Sequence, residues 1–366
     1  MPIAINKDSC FQLKRFIRLT SARKENQKYR LVFGYYPDST FEVDCNDESF
    51  YVLFNLWKPI TRQDLYNKVK KIKNGISYDN VDEDLKRLTK TGMLEIYSSK
   101  PVTPNRYDRH LIYYSMFSNV SEICQQKLQG SKIVLLGVGG IGSWLAYCLA
   151  GSGVGTIIGV DHDVVELTNL TRQILFDEND IGKSKVIQAR KRIKKFNSQV
   201  KFVPVNKEIS DTKCIREIIS GTDMVLLSAD TPRHIGSMVN EACVLEKIPW
   251  SVTGYIDMHG VCGPLIVPGK TACLKCSAGG TDASVDCFSE EQKRMVERFN
   301  KRYQAPSYGP FNCFLSGFQA MEAIKYLTEH EVPQTIGARF IINSKNMKTS
   351  IQRINRNSNC PLCGNI

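Results

Sequence analysis

The first residues with a recognisable chemical pattern are three closely spaced glycines that begin at residue 137. Gly137, Gly139 and Gly142 have the spacing G-x-G-x-x-G and lie between an apolar run and a segment with helical spacing. Without Cβ atoms, such residues let backbone N–H groups approach phosphates, and the N-terminus of the following helix adds partial positive charge. Asp161 ends the next apolar run, where an acid can bind a ribose hydroxyl. Taken alone, this pattern is typical of a dinucleotide oxidoreductase.

The segment after Asp161 changes this interpretation. Among its polar residues are Asn169, Arg172, Gln173 and Lys185. A hydride-transfer site has no need of two cations there, whereas a site that stabilises charge developing on a triphosphate does. Asp230 ends a later apolar run, MVLLSAD, at the carboxyl edge expected of a sheet strand. A carboxylate beside a triphosphate is a natural Mg²⁺ ligand, so we expect ATP and Mg²⁺ as cofactors.

Four of the thirteen cysteines form two CxxC pairs, Cys273/Cys276 and Cys360/Cys363. The chain begins without an apolar signal core, so paired cysteines suggest a metal site rather than disulfides. Each pair has the spacing that spans one edge of a tetrahedron, and four thiolates leave no open position for water. We therefore expect a structural Zn²⁺ site. The alternatives are four free thiols or, less well supported, a redox role.

Several motifs follow one another in a fixed order: GVGGIG, D-x-D-x-V-E-x-x-N-L-x-R-Q, GKSK, SAD, WSVTGYIDMHGVCGPLIVPGKTACLKC and CPLCG. In this order they resemble the ThiF/E1 superfamily of adenylating enzymes, which activate ubiquitin-like proteins and sulfur carriers. The resemblance spans about residues 106–366. The small N-terminal module, RYDRHLIYYS and NLTRQILF are most similar to the group that modifies the microcin C7 precursor peptide. The enzyme that matures pantocin A is related.

The resemblance implies a role for each matching residue. The phosphates would be held by Gly137, Gly139, Gly140, Gly142, Asn169, Arg172, Gln173 and Lys185. Asp161 would bind the ribose and Asp230 the Mg²⁺. The family motif R-Y-[SN]-R-Q appears here as RYDRH, in which His110 replaces the usual Gln. The second arginine of the motif is Arg109. The resemblance implies that Arg109 reaches the γ-phosphate side from the partner subunit of a homodimer. The expected catalytic residues are Arg109, Arg172, Lys185 and Asp230.

Many E1 enzymes pass the acyl group to a cysteine, and the candidates here are Cys287 and Cys313. No nearby histidine or cation marks either thiol as low in pKa. The microcin-type enzymes work without a thioester, which agrees with this. We therefore expect both to be ordinary thiols.

Composition limits the remaining function classes. The chain has 366 residues, 42% hydrophobic and 23% charged, an ordinary globular mixture. No stretch approaches the roughly 18 apolar residues of a membrane helix, so we expect a cytoplasmic protein without membrane contact. The net charge of +12 is spread out, and its densest run, at residues 68–73, resembles a solvated helix face. Such a charge attracts an anionic nucleotide or an acidic peptide without requiring nucleic acid as a partner.

The elements that position these residues follow from periodicity. From about residue 101 onward, the apolar runs KIVLLGVGG, TIIGVDHD and MVLLSAD alternate with helical segments, which predicts an α/β, doubly wound, Rossmann-like domain over 101–366. Residues 1–100 predict a winged-helix-like domain with a hairpin at 29–44 around PDST, and a helix capped by Thr61. A second helix, VDEDLKRLTKT, would stop at Gly92, before the strand MLEIY.

The N-terminal domain has two interpretations. As a leader-peptide clamp it would bind an extended peptide by strand addition to the hairpin, in a cleft with the basic helix at 62–73. As a DNA-binding winged helix it would need a recognition helix rich in Arg, Asn or Gln, whereas VDEDLKRL is largely acidic. We therefore favour the peptide clamp.

These observations predict an ATP-dependent adenylyltransferase. Its substrate would be a carboxylate or amide carbonyl on a ribosomally made precursor peptide, leading to cyclisation or dehydration in antibiotic biosynthesis. One alternative is activation of the C-terminus of a ubiquitin-like sulfur-carrier protein. Another, from a different class, is a nucleotide-dependent DNA-binding regulator.

Overall fold

The computed structural model describes residues 5–26, 28–34, 40–101, 105–232, 234–277, 289–301 and 306–364. The chain forms two compact units, residues 1–127 and 128–366. The domain boundary expected near residue 100 remains a prediction, and in the structure the first unit continues through the next helix. Among the described residues, no helix combines the length and the apolarity needed to cross a membrane.

The first unit contains two small antiparallel sheets and a set of short helices. Its strands are β1 (Cys10–Leu13), β2 (Leu19–Glu25), β3 (Lys28–Phe33), β4 (Phe41–Cys45), β5 (Ile60–Thr61) and β6 (Leu94–Tyr97). Its helices are α1 (Asp47–Asn55), α2 (Arg62–Ile72), α3 (Tyr78–Lys90), α4 (Asp108–Ser115) and α5 (Ser121–Gly130), the last of which continues into the second unit. The strand orders are β5-β1-β6 and β2-β3-β4.

Local sequence signals account for these elements. The Thr61 side chain accepts a hydrogen bond from the Asp64 N–H and starts α2, as the capping pattern predicted. A capping box between Ser77 and Asn80 starts α3 ahead of the predicted run. The predicted hairpin is present as the antiparallel pair β3/β4, while most of its expected turn, residues 35–39, lies outside the described residues.

The second unit is built on one eight-stranded sheet. Its strands are β7 (Lys132–Leu136), β8 (Thr156–Val160), β9 (Lys201–Val205), β10 (Met224–Leu227), β11 (Trp250–Ile256), β12 (His259–Ile266), β13 (Ala338–Asn343) and β14 (Thr349–Arg353). Its helices are α6 (Gly140–Ser152), α7 (Lys185–Phe196), α8 (Thr212–Ile219), α9 (Ile235–Leu245), α10 (Glu290–Lys301) and α11 (Gly309–Thr328). The strand order is β14-β13-β12-β11-β10-β7-β8-β9.

The sheet confirms the predicted fold class and extends it. Strands β11, β10, β7, β8 and β9 pair in parallel, whereas β12, β13 and β14 add antiparallel strands. In β7, Ile133 and Leu135 enter the core shared with α6 and α7, and Val134 and Leu136 enter the core shared with α8 and α9. The chain order reverses between β7 and β10, and open α/β sheets bind ligands at such a switch point.

Candidate active site

A cavity of about 580 Å³ lies at the carboxyl ends of the parallel strands, within the size range of small-molecule sites. It runs from the end of β9, past β8, β7 and β10, to the end of β11. Nine of the residues singled out in the sequence line it: Gly137, Gly139, Gly140, Asp161, Asn169, Arg172, Gln173, Lys185 and Asp230. The fold thus brings these dispersed polar residues to one place.

The loop between β7 and α6 packs closely against the rest of the chain at Gly137 and Gly140, whereas Gly139 has open space beside it. Gly137 has φ +93°, and a Cβ there would lie 2.8 Å from the Ala229 nitrogen. Gly139 is the N-cap of α6 and supplies no side chain to cap it, so it offers no competing acceptor for the first N–H groups of the helix. At Gly140 a Cβ would lie 2.5 Å from Asn312 Nδ2. The free N–H groups at the start of α6 therefore face the cavity and fit phosphate groups.

Gly142 was predicted to bind the nucleotide, but it is buried in α6 and is not among the residues that line the cavity. A Cβ at this position would collide with the Gly137 carbonyl oxygen and lie 2.8 Å from Ser228 Oγ. Its physical role is the close packing of α6 on the strand end, and its part in nucleotide binding remains a prediction.

We expect Gly142→Ala to lower the free energy of unfolding by about 1–3 kcal/mol, because a methyl group forced against backbone must move the helix. Gly139→Ala is the matched control, since its added Cβ meets only Gln173 Nε2, at 3.8 Å. Urea unfolding of both variants measures the difference. Equal stability of the two would show that Gly142 has no packing role.

Asp161, the residue predicted to bind the ribose, accepts a backbone hydrogen bond on each of its carboxylate oxygens. Asp161 Oδ2 accepts a hydrogen bond from the Val138 N–H at 2.8 Å, and Oδ1 accepts one from the Asp163 N–H at 2.9 Å. Since the Val138 N–H belongs to the glycine loop, the carboxylate fixes the end of β8 against that loop. The second lone pairs of these oxygens remain for a ligand hydroxyl.

Two amides beside the loop complete the polar wall. Asn169 Oδ1 accepts a hydrogen bond from the Glu166 N–H at 3.2 Å, which closes a short 3₁₀ turn. Gln173 is 3% exposed, and its Oε1 has no hydrogen-bond partner among the described residues. A buried polar atom without a partner is costly, so this amide fits a cavity that receives a polar ligand.

Two cationic side chains line the same cavity. Arg172 Nη1 donates to the Thr168 carbonyl oxygen at 2.8 Å, while Trp144 Nε1 donates to the Arg172 carbonyl oxygen at 3.1 Å. Lys185 opens α7, is 6% exposed, and places Nζ 2.7 Å from Asp163 Oδ2. Both cations are anchored by other parts of the chain, as a preorganised anion site requires.

Asp230 lies just beyond β10 and is exposed at the cavity. Its Oδ1 accepts a hydrogen bond from Thr231 Oγ1 at 3.4 Å, and no cationic partner of its carboxylate is found among the described residues. An exposed carboxylate at the wall of this cavity has the oxygen chemistry that Mg²⁺ prefers. Asp230 therefore fits the predicted role of metal ligand.

Several residues of the cavity wall have no role in the predictions above, among them His162, Asp163, Lys207, Glu208 and Tyr255. Lys207 and Glu208 follow β9, a strand that contains Pro204 and was not identified from the pattern. Because parallel strands end at one edge, the residues after any further strand would have been candidates. His162 and Asp163 stand in the quoted D-x-D motif.

The remaining predicted residues lie elsewhere. Arg109 is an exposed residue of α4 in the first unit, and its role remains a prediction. Cys313 is a half-buried residue of α11 and is not among the residues that line the cavity. Cys287 lies outside the described residues.

The four paired cysteines form one compact cluster. The Sγ–Sγ distances are 3.6 Å for Cys273–Cys360, 4.0 Å for Cys273–Cys276 and 3.3 Å for Cys276–Cys363. Tetrahedral zinc with Zn–S bonds of about 2.3 Å places sulfurs roughly 3.8 Å apart. Burial raises the pKa of Cys360, but hydrogen bonds from the backbone N–H groups of Cys363 and Leu362, together with those to the neighbouring thiols, lower that pKa to about 6. The donor set and its spacing fit structural zinc.

Comparison with known proteins agrees with this architecture. This architecture and this cavity are those of an ATP-dependent adenylyltransferase of the E1-like type. Residues 107–362 match the model of the ThiF family, and the chain belongs to that family, which confirms the resemblance seen in the motifs.

Two curated relatives and two solved structures place the chain more closely. It is 28% identical over 260 residues to the sulfur carrier protein ThiS adenylyltransferase of Escherichia coli strain K12, covering 70% of this chain and 96% of the relative. It is 27% identical over 240 residues to the molybdopterin-synthase adenylyltransferase of Salmonella typhimurium, covering 66% and 90%. The crystal structure of E. coli MccB with MccA-N7isoASN superimposes with a TM-score of 0.78 at 27% identity, covering 97% of this chain and all of MccB. PaaA, at 19% identity and a TM-score of 0.71, covering 93% of this chain and 99% of PaaA, shares the fold.

Proposed function

We propose that this chain adenylates a carboxylate or amide carbonyl of a ribosomally made precursor peptide, and that the activated peptide then cyclises or loses water. The observation that carries this proposal is the extent of the match to MccB, which covers 97% of this chain and 100% of that protein. The match to the ThiS adenylyltransferase leaves about 30% of this chain without a counterpart. MccB has been crystallised with its peptide MccA in several states, which supports a peptide as substrate here.

The chemistry follows from the cavity. The substrate oxygen attacks the α-phosphorus of ATP, a new O–P bond forms, and the bond from that phosphorus to the bridging oxygen breaks as pyrophosphate leaves. N–H groups of the glycine loop, with Arg172 and Lys185, stabilise the charge on the departing group. Asp161 holds the ribose. Mg²⁺ held by Asp230 would withdraw charge from the phosphate oxygens.

Adenylation replaces a poor leaving group with AMP, so an internal nitrogen of the peptide can then attack the same carbon. The products of that attack are a succinimide or a lactam. Structures of E. coli MccB have been determined with a succinimide and with MccA-N7isoASN, which supports a cyclised product here. No step requires a cysteine nucleophile, in keeping with the place of Cys313 outside the cavity wall.

The first unit supplies an edge on which a peptide can pair. In the sheet β2-β3-β4, β4 is an edge strand, and Arg87 of α3 donates from Nη1 to the Asp44 carbonyl oxygen of β4 at 2.6 Å. A side chain of α3 thus reaches this edge, and the cleft between the hairpin and the basic helix α2 remains a prediction. Strand addition at β4, with Arg87 beside it, is the clamp that this unit supports.

Arg109 enters the mechanism through assembly. In the family to which the motif belongs, this arginine reaches the phosphates from the partner subunit, and Arg109 is exposed on α4. We propose a symmetric homodimer in which each Arg109 completes the partner's site. Loss of activity in Arg109→Ala, restored by mixing it with a variant defective only at Asp230, would support this arrangement.

Activation of a sulfur-carrier C-terminus is a second candidate, favoured by the names of the curated relatives. Besides the ThiS and molybdopterin-synthase enzymes, they include the SAMP-activating enzyme E1 of Haloferax volcanii, 28% identical over 262 residues. Both candidates share the nucleotide chemistry and differ only in the acyl group that is activated.

ATP–pyrophosphate exchange separates the candidates. We expect exchange to be stimulated by a precursor peptide encoded beside the gene, and mass spectrometry to show a loss of water or a retained nucleotide on that peptide. The control is a carrier protein ending in Gly-Gly, which should give only background exchange. Stimulation of exchange by the carrier alone would assign the second function. If neither the peptide nor the carrier gave exchange, a nucleotide-dependent regulator would remain as the function.

A further inference from the structure

The two acids of the motif Asp161-His162-Asp163 have different partners in the structure. Both oxygens of Asp161 accept backbone N–H groups, as described above. Asp163 instead places Oδ2 2.7 Å from Lys185 Nζ and Oδ1 3.5 Å from His162 Nε2. Among the described residues, Asp163 is the one ion-pair partner of Lys185.

The two side chains of this ion pair differ in their exposure to solvent. The Lys185 side chain is 7% exposed, whereas that of Asp163 is 51% exposed. A second bond ties the same two residues together, since the Lys185 N–H donates to the Asp163 carbonyl oxygen at 3.0 Å. The ammonium is therefore fixed in the wall while the carboxylate stands at the open side of the cavity.

A buried ammonium needs a counter-ion. Asp163 supplies it in the structure described here, and the same ammonium is expected to face phosphate oxygens when ATP is bound. Two anions then share one cation, and the carboxylate and the triphosphate repel each other across a few ångströms. The binding free energy of each nucleotide must offset this repulsion. When pyrophosphate leaves, the Asp163 carboxylate takes its place as the counter-ion of Lys185.

We propose that Asp163 is an internal counter-ion of Lys185 that competes with nucleotide phosphates, weakens ATP binding and speeds the release of pyrophosphate. This inference rests on the proposed function, because it takes the cavity to be the ATP site. It concerns only the phosphate half of the ligand. The adenosine half is expected to be indifferent to the charge at Asp163.

The test is calorimetric binding of three probes to the wild-type protein and to Asp163→Asn: α,β-methylene-ATP with Mg²⁺, pyrophosphate with Mg²⁺, and adenosine. We expect the variant to bind the first two about tenfold more tightly, as removal of one partly screened charge implies, with adenosine affinity unchanged. Asp177→Asn is the matched control, because Asp177 forms a 2.7 Å ion pair with Arg192 and is not among the cavity residues. It should leave all three affinities unchanged.

Several outcomes would overturn the inference. Weaker binding of the phosphate-bearing probes by Asp163→Asn would show that Asp163 instead orients Lys185 or holds a cation. An equal gain for adenosine would show a general change of shape. Asp163→Ser, which keeps the N–H bonded to Asp161, repeats the test if the first variant unfolds. Failure of wild-type protein to bind the ATP analogue would reject the proposed function, whereas wild-type binding with unchanged variant affinities rejects only the counter-ion.

Discussion

Asp230→Asn should lower the turnover number for peptide adenylation by about 10³-fold while leaving ATP affinity within a few fold. The substitution keeps the shape of the side chain and removes the charge that a divalent cation requires. Because the effect belongs to the step in which charge develops on pyrophosphate, it should appear in kcat and not in the binding of ATP. Initial rates of pyrophosphate release and calorimetric binding of α,β-methylene-ATP measure the two quantities.

The same strand offers a matched control for this prediction. Asp223 precedes β10 at its amino end, where Oδ2 accepts a hydrogen bond from the Lys132 N–H at 2.7 Å. Asp223→Asn keeps an acceptor oxygen at that position and removes the same charge, so it should leave kcat unchanged. If the two variants lost activity equally, the charge at Asp230 would have no specific part in the reaction.

Cys360→Ser should release the bound metal and destabilise the second unit by more than about 3 kcal/mol, since the affinity of a four-thiolate zinc site contributes directly to folding. The cluster joins the chain between β12 and α10 to the carboxyl-terminal segment, residues 87 positions apart in sequence. Loss of one thiolate opens that connection. A strong chelator applied to the wild-type protein should produce the same loss of stability.

Metal content by plasma mass spectrometry and thermal unfolding check this result together. The control is Cys313→Ser, which removes a half-buried thiol of α11 that does not belong to the cluster. That variant should retain one zinc per chain and unfold near the wild-type temperature. A protein that, after expression in zinc-supplied medium, carried no metal and was insensitive to chelation would contradict a structural zinc site.

Much of the site was predictable because its parts are local. One continuous stretch of chain contains the spaced glycines, the acid after β8 and the two cations. The type of each residue indicates the chemistry that it can perform. The cluster of four cysteines was predictable for the same reason, since each CxxC pair is a local unit. The predicted caps at Thr61 and Gly92 likewise depend only on neighbouring residues.

Other features required the tertiary structure. That Arg87 of α3 reaches the edge of β4 depends on how the helices pack, which the spacing of residues does not show. That Lys207, Glu208 and Tyr255 join the cavity depends on strand order, because residues far apart in sequence meet only when their strands end at one edge.

The two acids of the D-x-D motif show most clearly which features the sequence predicts and which depend on the fold. Residue types and spacing alone predict that these carboxylates, cations and glycines serve a nucleotide, because those side chains and that turn have few other uses together. The partners of the two acids are visible only in the fold, where Asp161 accepts backbone N–H groups and Asp163 neutralises Lys185. Partner choice between identical side chains depends on distances and burial set by long-range packing, which the order of residues does not contain.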